Sequence, residues 1–178
     1  MSKLTNCILN KDHSYVPIWF MRQAGRYLPE FREIRSKNKD FIKLCLNSDL
    51  SSEITLQPLK RFNLDAAIIF SDILMIPYGL GQDVIFKKEI GPILSDFNID
   101  IFLSNNEKSF IKNLTPVYNA IKKTKKNLDK SKSLISFIGA PWTLAVYMLG
   151  LKEHKNKINL KKLKEKESDV SIILEVIN

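Results

Sequence analysis

Cysteine, histidine and glycine are scarce in this chain, and long apolar runs are absent. Only two cysteines, Cys7 and Cys45, occur among the 178 residues. Neither lies in a paired motif with another cysteine or a histidine, so a disulfide framework or a zinc site is disfavoured and inert thiols are expected. No window approaches the roughly 20 apolar residues of a membrane span, and the stretch from Met1 to Leu9 lacks the apolar core of a signal peptide. We therefore expect a cytoplasmic protein with no membrane partner.

Positive charge is in excess, and its two sources are separated along the chain. The formal net charge of +9 attracts acidic partners of any kind. Many of the lysines fall in residues 122–132 and 152–166, where they are typical of the solvated faces of amphipathic helices. The arginines are concentrated between Arg22 and Arg35. Clustered arginine suits bidentate recognition of carboxylates, so this segment is the better candidate for an anion site.

Apolar runs alternate with helical patterns along the chain. Buried strands are predicted at residues 16–21, 65–70 and 134–138. Helices are predicted at residues 30–35, 40–46, from an N-cap at Ser48 to about 62, from Thr115 and Pro116 onward, at 142–149 and, as one long helix, from about 160. Proline and glycine between residues 76 and 92 predict a long loop with a brief strand at 84–86.

This order of elements predicts an α/β fold with parallel strands and helical crossovers. Three strands are too few to close a barrel. Reactive groups in such folds gather beyond the carboxyl ends of the strands, and the three predicted strands are followed by Arg22, by Asp72 and by the turn Gly139-Ala140-Pro141. The chain ends at Asn178 within a predicted helix and without a stop signal, so we expect the sequence to be incomplete.

The first candidate site surrounds a small Ala-Gly pair. Arg22 and Arg26 flank Gln23, Ala24 and Gly25, where small side chains let a ligand approach the backbone and each guanidinium can bind a carboxylate. The alternative is that these arginines pair with Glu30 and Glu33 on the surface. Arg32 and Arg35 are expected to be surface partners of nearby glutamates, although Arg35 could extend the anion site.

Asp72 and Tyr147 are further candidates at strand ends. Asp72 would be desolvated after an apolar strand and could accept hydrogen bonds from N–H donors or stabilise positive charge. Its alternative roles are to cap the next turn or to pair with an arginine; no His or Cys is spaced to join it around a metal. Tyr147 could point its hydroxyl at the strand ends, or it could be a core aromatic like Trp142. His13 and His154 are expected to be surface residues.

Four runs together resemble the uroporphyrinogen decarboxylase family in order and spacing. They are Trp-Phe-Met-Arg-Gln-Ala-Gly-Arg-Tyr-Leu-Pro-Glu at residues 19–30, Thr-Leu-Gln-Pro-Leu at 55–59, Leu-Asp-Ala-Ala-Ile-Ile-Phe-Ser-Asp-Ile-Leu at 64–74 and Gly-Ala-Pro-Trp-Thr-Leu at 139–144. The resemblance spans about residues 16–150.

The resemblance implies a (β/α)8 TIM barrel with its active site at the carboxyl ends of the strands. Residues 1–178 would then be a single domain, an incomplete N-terminal portion forming a partial barrel. The implied reaction removes the four acetate carboxyl groups of uroporphyrinogen III, giving coproporphyrinogen III and carbon dioxide in haem synthesis, without cofactor or metal. The expected partners are the tetrapyrrole and, at full length, a second copy in a homodimer, but no nucleic acid.

The resemblance also implies roles for individual residues. Asp72 and Arg22 would be catalytic, Asp72 accepting hydrogen bonds from the central pyrrole N–H groups. Arg22 and Arg26, with the backbone of Gln23, Ala24 and Gly25, would hold side-chain carboxylates. Tyr147 would contact the substrate's side chains.

The family's Ser and His motifs from the second half of its barrel are missing from this sequence, and neither His13 nor His154 lies in a matching context. We therefore expect the chain alone to be inactive and to aggregate through an open sheet edge. Two alternatives stay open: a corrinoid-linked methyltransferase of the same superfamily, and a basic nucleic-acid-binding protein. Against the latter, the aromatic residues do not interleave with the lysines.

Overall fold

A computed structural model describes residues 1–87, 89–153 and 157–177, which divide into two compact units. The first unit comprises residues 1–71 and 115–137. The second comprises residues 72–114 and the chain from residue 138 onward. The expectation of a single domain stays a prediction.

Ten helices and four strands are assigned in the described residues. The helices are α1 Lys3–Asn10, α2 Pro29–Lys37, α3 Phe41–Cys45, α4 Ser48–Arg61, α5 Met75–Gly79, α6 Ile99–Ser104, α7 Glu107–Asn127, α8 Pro141–Met148, α9 Leu160–Glu165 and α10 Glu167–Ile177. The strands are β1 Ala66–Ile68, β2 Val84–Lys87, β3 Gly91–Leu94 and β4 Ser133–Ile135.

A parallel strand pair forms the centre of the first unit. β1 pairs with β4 in parallel, with Ala66 opposite Ser133 and Ile68 opposite Ile135. Ala66 and Ala67 are fully buried, and their small side chains let α4 pack against the strand. Several helices lie between the two strands in sequence, as a parallel pair requires. The predicted α/β class with parallel strands and helical crossovers is confirmed.

Phe70, just after β1, is fixed to the first unit by α4 and by aromatic packing. The Thr55 hydroxyl accepts a 2.8 Å hydrogen bond from the Phe70 backbone N–H, and the Ser51 hydroxyl donates a 2.6 Å bond to the Phe70 carbonyl. The Phe70 ring packs edge-on against Phe31 and Phe41. Each backbone polar group of Phe70 therefore has a side-chain partner where the strand has already ended.

The prediction of a buried strand at residues 16–21 is wrong. The segment is irregular, and Val16 and Met21 are 77% and 74% exposed. Among the described residues, its one backbone–backbone hydrogen bond to this part of the fold runs from the N–H of Asp65, the residue before β1, to the Ile18 carbonyl. An apolar run favours burial, but a strand forms only where a neighbouring backbone supplies a ladder of hydrogen bonds.

The predicted loop at residues 76–92 contains more regular structure than expected. A short helix, α5, occupies residues 75–79, and β2 pairs with β3 in an antiparallel hairpin. The brief strand expected at residues 84–86 is confirmed. Gly91, at a positive φ of 96°, begins β3 directly after the turn, a conformation that favours glycine.

Three helix boundaries also differ from prediction. α4 is capped by Asn47, whose side chain accepts from Asp49 and Leu50, so Ser48 is the first helical residue. α7 begins at Glu107, not at Thr115, because the Asn106 side chain accepts from the Ser109 N–H and the helix continues through Pro116. The single long helix expected from residue 160 is two helices, α9 and α10.

The second unit has an apolar core between its own helices. α8 and α10 pack together, and α5 also contacts α8. The buried core residues are Leu80, Phe102, Leu144, Ala145, Met148, Leu149, Leu151, Val170 and Ile173. Within the described parts of the chain, no helix combines the length and apolar character needed to cross a bilayer.

Candidate functional site

The loop that carries Arg22 and Arg26 belongs to the first unit and is fixed to β1 by the residue between them. Gln23 is 2% exposed. Its side-chain N–H donates a 3.0 Å hydrogen bond to the Ala66 carbonyl, and its side-chain oxygen accepts from the Phe20 N–H at 3.3 Å. Because both ends of this amide are used, the Gln23 side chain anchors the loop and is not available for a ligand.

The other end of the loop is held by main-chain carbonyls. The Tyr27 hydroxyl donates to the Gln23 carbonyl, and the Leu28 N–H donates to the Gly25 carbonyl at 3.0 Å. The Arg32 guanidinium donates a 2.9 Å bond to the Arg26 carbonyl. Leu28 is buried in the core of the first unit. The loop is therefore closed on itself and fixed at both ends.

The guanidiniums of Arg22 and Arg26 are exposed, and neither has a hydrogen-bond or ion-pair partner within the described part of the chain. The glutamates that were their alternative partners are engaged elsewhere. Glu30 pairs with Arg61 at 2.7 Å, and Glu33 pairs with Lys37 at 2.8 Å. Arg22 and Arg26 are thus positive groups on an anchored loop, able to bind an anion from solution.

In the described part of the chain, neither Arg32 nor Arg35 forms an ion pair with a glutamate, contrary to expectation. Arg32 donates to loop carbonyls, as described above. Arg35 donates to the Asn38 carbonyl at the end of α2, and its guanidinium lies 5.7 Å from the centre of the Phe41 ring. Because these contacts occupy the Arg35 side chain, it is a poorer candidate for the anion site than Arg22 or Arg26.

Asp72 is the first residue of the second unit and is partly buried. One carboxylate oxygen accepts a 2.9 Å hydrogen bond from the Leu74 N–H, the local turn contact that was its alternative role. Burial raises the pKa of Asp72, and the Leu74 N–H partly opposes that increase. No described residue donates a hydrogen bond to the second oxygen. The carboxylate therefore favours a ligand that brings N–H donors or positive charge.

Tyr147 lies on α8 and lines a cavity of about 710 Å³ in the second unit. Its hydroxyl has no hydrogen-bond partner among the described residues, and the ammonium of Lys152 lies 5.5 Å from its ring centre. Residues of β3 and the segment after it, from Pro92 to Phe97, also line this cavity. The cavity is of a size that takes a small-molecule ligand. Asp72 is not among its lining residues.

The histidines and cysteines contribute no further candidate site in the described residues. His13 is exposed, and His154 lies outside the described residues. Neither Cys7 nor Cys45 forms a disulfide in the described structure. Over the described ranges, no three His, Cys, Asp or Glu side chains come together as metal ligands would.

Sequence reasoning overlooked Asp65. It reads as the first residue of a strand, but its side chain is 5% exposed and accepts hydrogen bonds from the Ile18 N–H at 2.8 Å and the Tyr15 hydroxyl at 3.1 Å. The available signal was a carboxylate directly before an uninterrupted apolar run. Such a residue must find donors when the run is buried.

Comparison with known proteins adds a consistent set of relatives. The family model for uroporphyrinogen decarboxylase (URO-D) matches residues 1–177. The uroporphyrinogen decarboxylase of Rickettsia felis is 46% identical over 157 residues, which cover 88% of this chain and 44% of that protein. That of Mesorhizobium japonicum is 46% identical over 146 residues, covering 82% and 43%. The chain thus spans less than half the length of these relatives.

A solved structure supports the fold. A methyltransferase from Methanosarcina mazei superposes with a TM-score of 0.65, covering 97% of this chain and 49% of that protein. Its sequence is only 13% identical, so the likeness concerns the fold alone.

Proposed function

Since the chain belongs to the uroporphyrinogen decarboxylase family, we propose that it supplies substrate-binding and catalytic residues for removing the four acetate carboxyl groups of uroporphyrinogen III. The products are coproporphyrinogen III and carbon dioxide. The observation that carries this proposal is the anchored loop of the first unit, where Arg22 and Arg26 present guanidiniums that have no partner in the described structure.

Arg22 and Arg26 bind carboxylates of the tetrapyrrole. The substrate carries acetate and propionate groups around its rim, and a guanidinium can donate two parallel hydrogen bonds to each carboxylate. The anchoring of the loop reduces the conformational entropy that binding would otherwise remove. The backbone of Gln23, Ala24 and Gly25 completes this binding loop, with Gly25 leaving space for the ligand to approach.

Asp72 acts on the centre of the macrocycle. Its second carboxylate oxygen is available to accept hydrogen bonds from pyrrole N–H groups. Protonation of a pyrrole ring carbon creates a cation, which withdraws the electron pair of the bond between the acetate methylene and its carboxylate. Carbon dioxide leaves as that bond breaks, the electron pair of the bond neutralises the cation, and a proton then adds to the methylene carbon to give a methyl group. Loss of the proton from the ring carbon restores the pyrrole, so that each decarboxylation takes up one proton in total. A nearby carboxylate stabilises the cation electrostatically, which is the catalytic role of Asp72. Arg22 assists by holding the reacting carboxylate.

The remaining assignments are part of the same proposal. Tyr147 contacts substrate side chains. The reaction needs neither a cofactor nor a metal. The active protein is a cytoplasmic homodimer that binds no nucleic acid and no membrane.

A chimera tests the reaction. Residues 1–177 of this chain would replace the matched part of the Rickettsia felis relative, and uroporphyrinogen III would be assayed for conversion by chromatography of the oxidised products. We expect coproporphyrinogen III from the chimera and a loss of turnover by several orders of magnitude on Asp72→Ala, because the cation loses its counter-charge. A folded chimera without turnover, or an Asp72→Ala chimera with unchanged turnover, would contradict the proposal.

Binding of uroporphyrin III, the stable and fluorescent oxidised form, tests the loop on the chain itself. Arg22→Ala and Arg26→Ala should each weaken binding by about tenfold or more, since a charge-assisted hydrogen bond contributes roughly 1.5–3 kcal/mol. Arg61→Ala is the matched control: it removes the same charge from the same unit, but Arg61 is engaged with Glu30. Equal losses of uroporphyrin affinity in all three variants would mean that net charge alone causes the effect, and would contradict the proposed role of the loop.

A further inference from the structure

A buried carboxylate joins the N-terminal segment to the start of β1. A single oxygen of Asp65 accepts hydrogen bonds from the Ile18 N–H at 2.8 Å and the Tyr15 hydroxyl at 3.1 Å. The backbone N–H of Asp65 donates to the Ile18 carbonyl at 2.8 Å, and its carbonyl accepts from the Ser133 N–H at 3.0 Å. Asp65 therefore connects residues 15–18 with both strands of the parallel pair.

No other residue in the described structure forms a hydrogen bond with residues 15–18. Apolar packing does not replace these bonds, because Val16 and Ile18 are exposed. A cation–π contact of Lys3 with the Tyr15 ring, at 3.8 Å, is the further contact at this place. The position of the segment thus depends mainly on Asp65.

The segment leads directly into the loop of Arg22 and Arg26. Trp19, Phe20 and Met21 are exposed and lie between two anchor points. One anchor is Asp65 acting on Ile18, and the other is Gln23 acting on Ala66. Asp65 and Ala66 are consecutive, so both anchors are set by the same end of one strand. Release of either anchor would leave the backbone that carries Arg22 held at one end instead of two.

We infer that Asp65 is a positioning residue for the arginine loop: its buried carboxylate holds Tyr15 and Ile18 against the start of β1 and thereby fixes where Arg22 and Arg26 meet an anionic ligand. The part of this inference that concerns the tetrapyrrole rests on the proposed function. Asp65 itself does not touch the ligand. It acts by accepting hydrogen bonds, so a neutral acceptor of the same shape should replace it.

The test compares Asp65→Ala with Asp65→Asn on the chain. Amide hydrogen exchange reports local opening of residues 18–23, and uroporphyrin III titration reports binding. We expect Asp65→Ala to accelerate exchange in that segment and to weaken uroporphyrin binding about tenfold. Asp65→Asn keeps an acceptor oxygen for both donors and should stay within about threefold of the wild type. Tyr15→Phe removes one of the hydrogen bonds to Asp65 and leaves the buried carboxylate in place. Its loss of uroporphyrin binding should be intermediate, and this variant keeps the test decisive if Asp65→Ala does not fold.

Asp40→Ala is the matched control. It removes an aspartate of the first unit that caps α3 by accepting from the Lys43 N–H, and it has no bond to the arginine loop. It should leave exchange in residues 18–23 and uroporphyrin affinity unchanged. The inference is overturned if Asp65→Ala behaves like Asp40→Ala, or if Asp65→Asn loses as much binding as Asp65→Ala. If the wild type shows no arginine-dependent uroporphyrin binding, the proposed function fails, while the exchange data still decide whether Asp65 holds the segment.

Discussion

The side-chain amide of Gln23 donates a 3.0 Å hydrogen bond to the backbone carbonyl of Ala66, so that a residue between two exposed arginines is fixed to a buried strand. Gln23→Met keeps the volume and removes the donor. We expect the free energy of unfolding to fall by about 1–3 kcal/mol, because the buried Ala66 carbonyl loses this partner. Denaturant unfolding monitored by circular dichroism measures the change.

Gln57 offers a matched control for this substitution. It is also 2% exposed, but neither its amide nitrogen nor its oxygen has a hydrogen-bond partner in the described structure. Replacing an unpaired buried amide by an apolar side chain of similar size is neutral or stabilising. Gln57→Met should therefore equal or exceed the wild type in stability. If the two variants lost the same amount, the Gln23 bond would not be the cause of the first result.

Thr55→Val should destabilise the first unit. Thr55 is fully buried, and its hydroxyl accepts from the Phe70 N–H at 2.8 Å and donates to the Ser51 carbonyl at 2.7 Å. Valine has the same shape but cannot accept from Phe70, so we expect a loss of about 1–3 kcal/mol in the free energy of unfolding.

Thr124→Val provides the comparison for Thr55. Thr124 is equally buried, and its hydroxyl contacts the Ser52 hydroxyl at 3.0 Å and donates to the Ala120 carbonyl within the same helix at 2.8 Å. No backbone N–H of the described residues donates to this hydroxyl, so the loss should be smaller than for Thr55→Val. The reverse order in denaturant unfolding would contradict the role given to the Phe70 bond.

Elements with strong local signals could be predicted from the sequence. Helices α2, α3 and α8 follow from their apolar spacing and starting residues, and the parallel pair β1 and β4 follows from two short apolar runs separated by helical patterns. Asp72 and Arg22 are indicated as site candidates by the sequence because each follows an apolar run. The sequence does not predict which residues surround Asp72 and Arg22 within each unit, because those contacts join residues that are far apart in the chain.

The errors share a physical cause, which is that a local pattern does not identify the partner that satisfies it. Residues 16–21 have the composition of a strand but lack a backbone ladder in the described structure. Pro116 is typical of a first helical turn, yet here it lies inside α7, where the preceding Asn106 provides the cap. The pattern around Asp65 indicates an apolar strand, and its hydrogen-bond donors, Tyr15 and Ile18, lie far away in sequence.

Asp72 should make stability depend on pH in an unusual direction. Burial raises its pKa above the ordinary value of 3.8, so the folded chain binds more protons than the unfolded chain between the two pKa values. Stability from this group is present below the unfolded pKa and is lost as pH rises through the raised pKa. Asp72→Asn does not titrate. The free energy of unfolding of Asp72→Asn, relative to that of the wild type, should therefore increase as pH rises through this window. Denaturant unfolding at several pH values measures the difference.

The control for this pH series is Asp129→Asn. Hydrogen bonds from the Ser131 side chain and backbone lower the pKa of Asp129, so its contribution to stability is present above the unfolded pKa and is lost as pH falls through the lowered one. The free energy of unfolding of Asp129→Asn, relative to that of the wild type, should therefore decrease as pH rises, which is opposite to the change for Asp72→Asn. The same sign for both variants would refute the assignment of a raised pKa to Asp72.

Gly25 and Gly139, which lie in two of the runs that resemble the family, should differ in how substitution by alanine affects stability. A Cβ at Gly139 would lie 2.6 Å from a Leu144 methyl and 3.1 Å from the Ile73 Cβ, so Gly139→Ala should cost about 1–3 kcal/mol in the free energy of unfolding. At Gly25 the nearest atoms are on the Tyr27 ring at 3.8 Å, so Gly25→Ala should preserve stability. Under the proposed function it should nevertheless weaken uroporphyrin III binding severalfold, because the added methyl group would hinder the approach of a carboxylate to the loop backbone. Thermal unfolding and uroporphyrin titration of both variants separate the two effects; unchanged binding in Gly25→Ala would remove this glycine from the site.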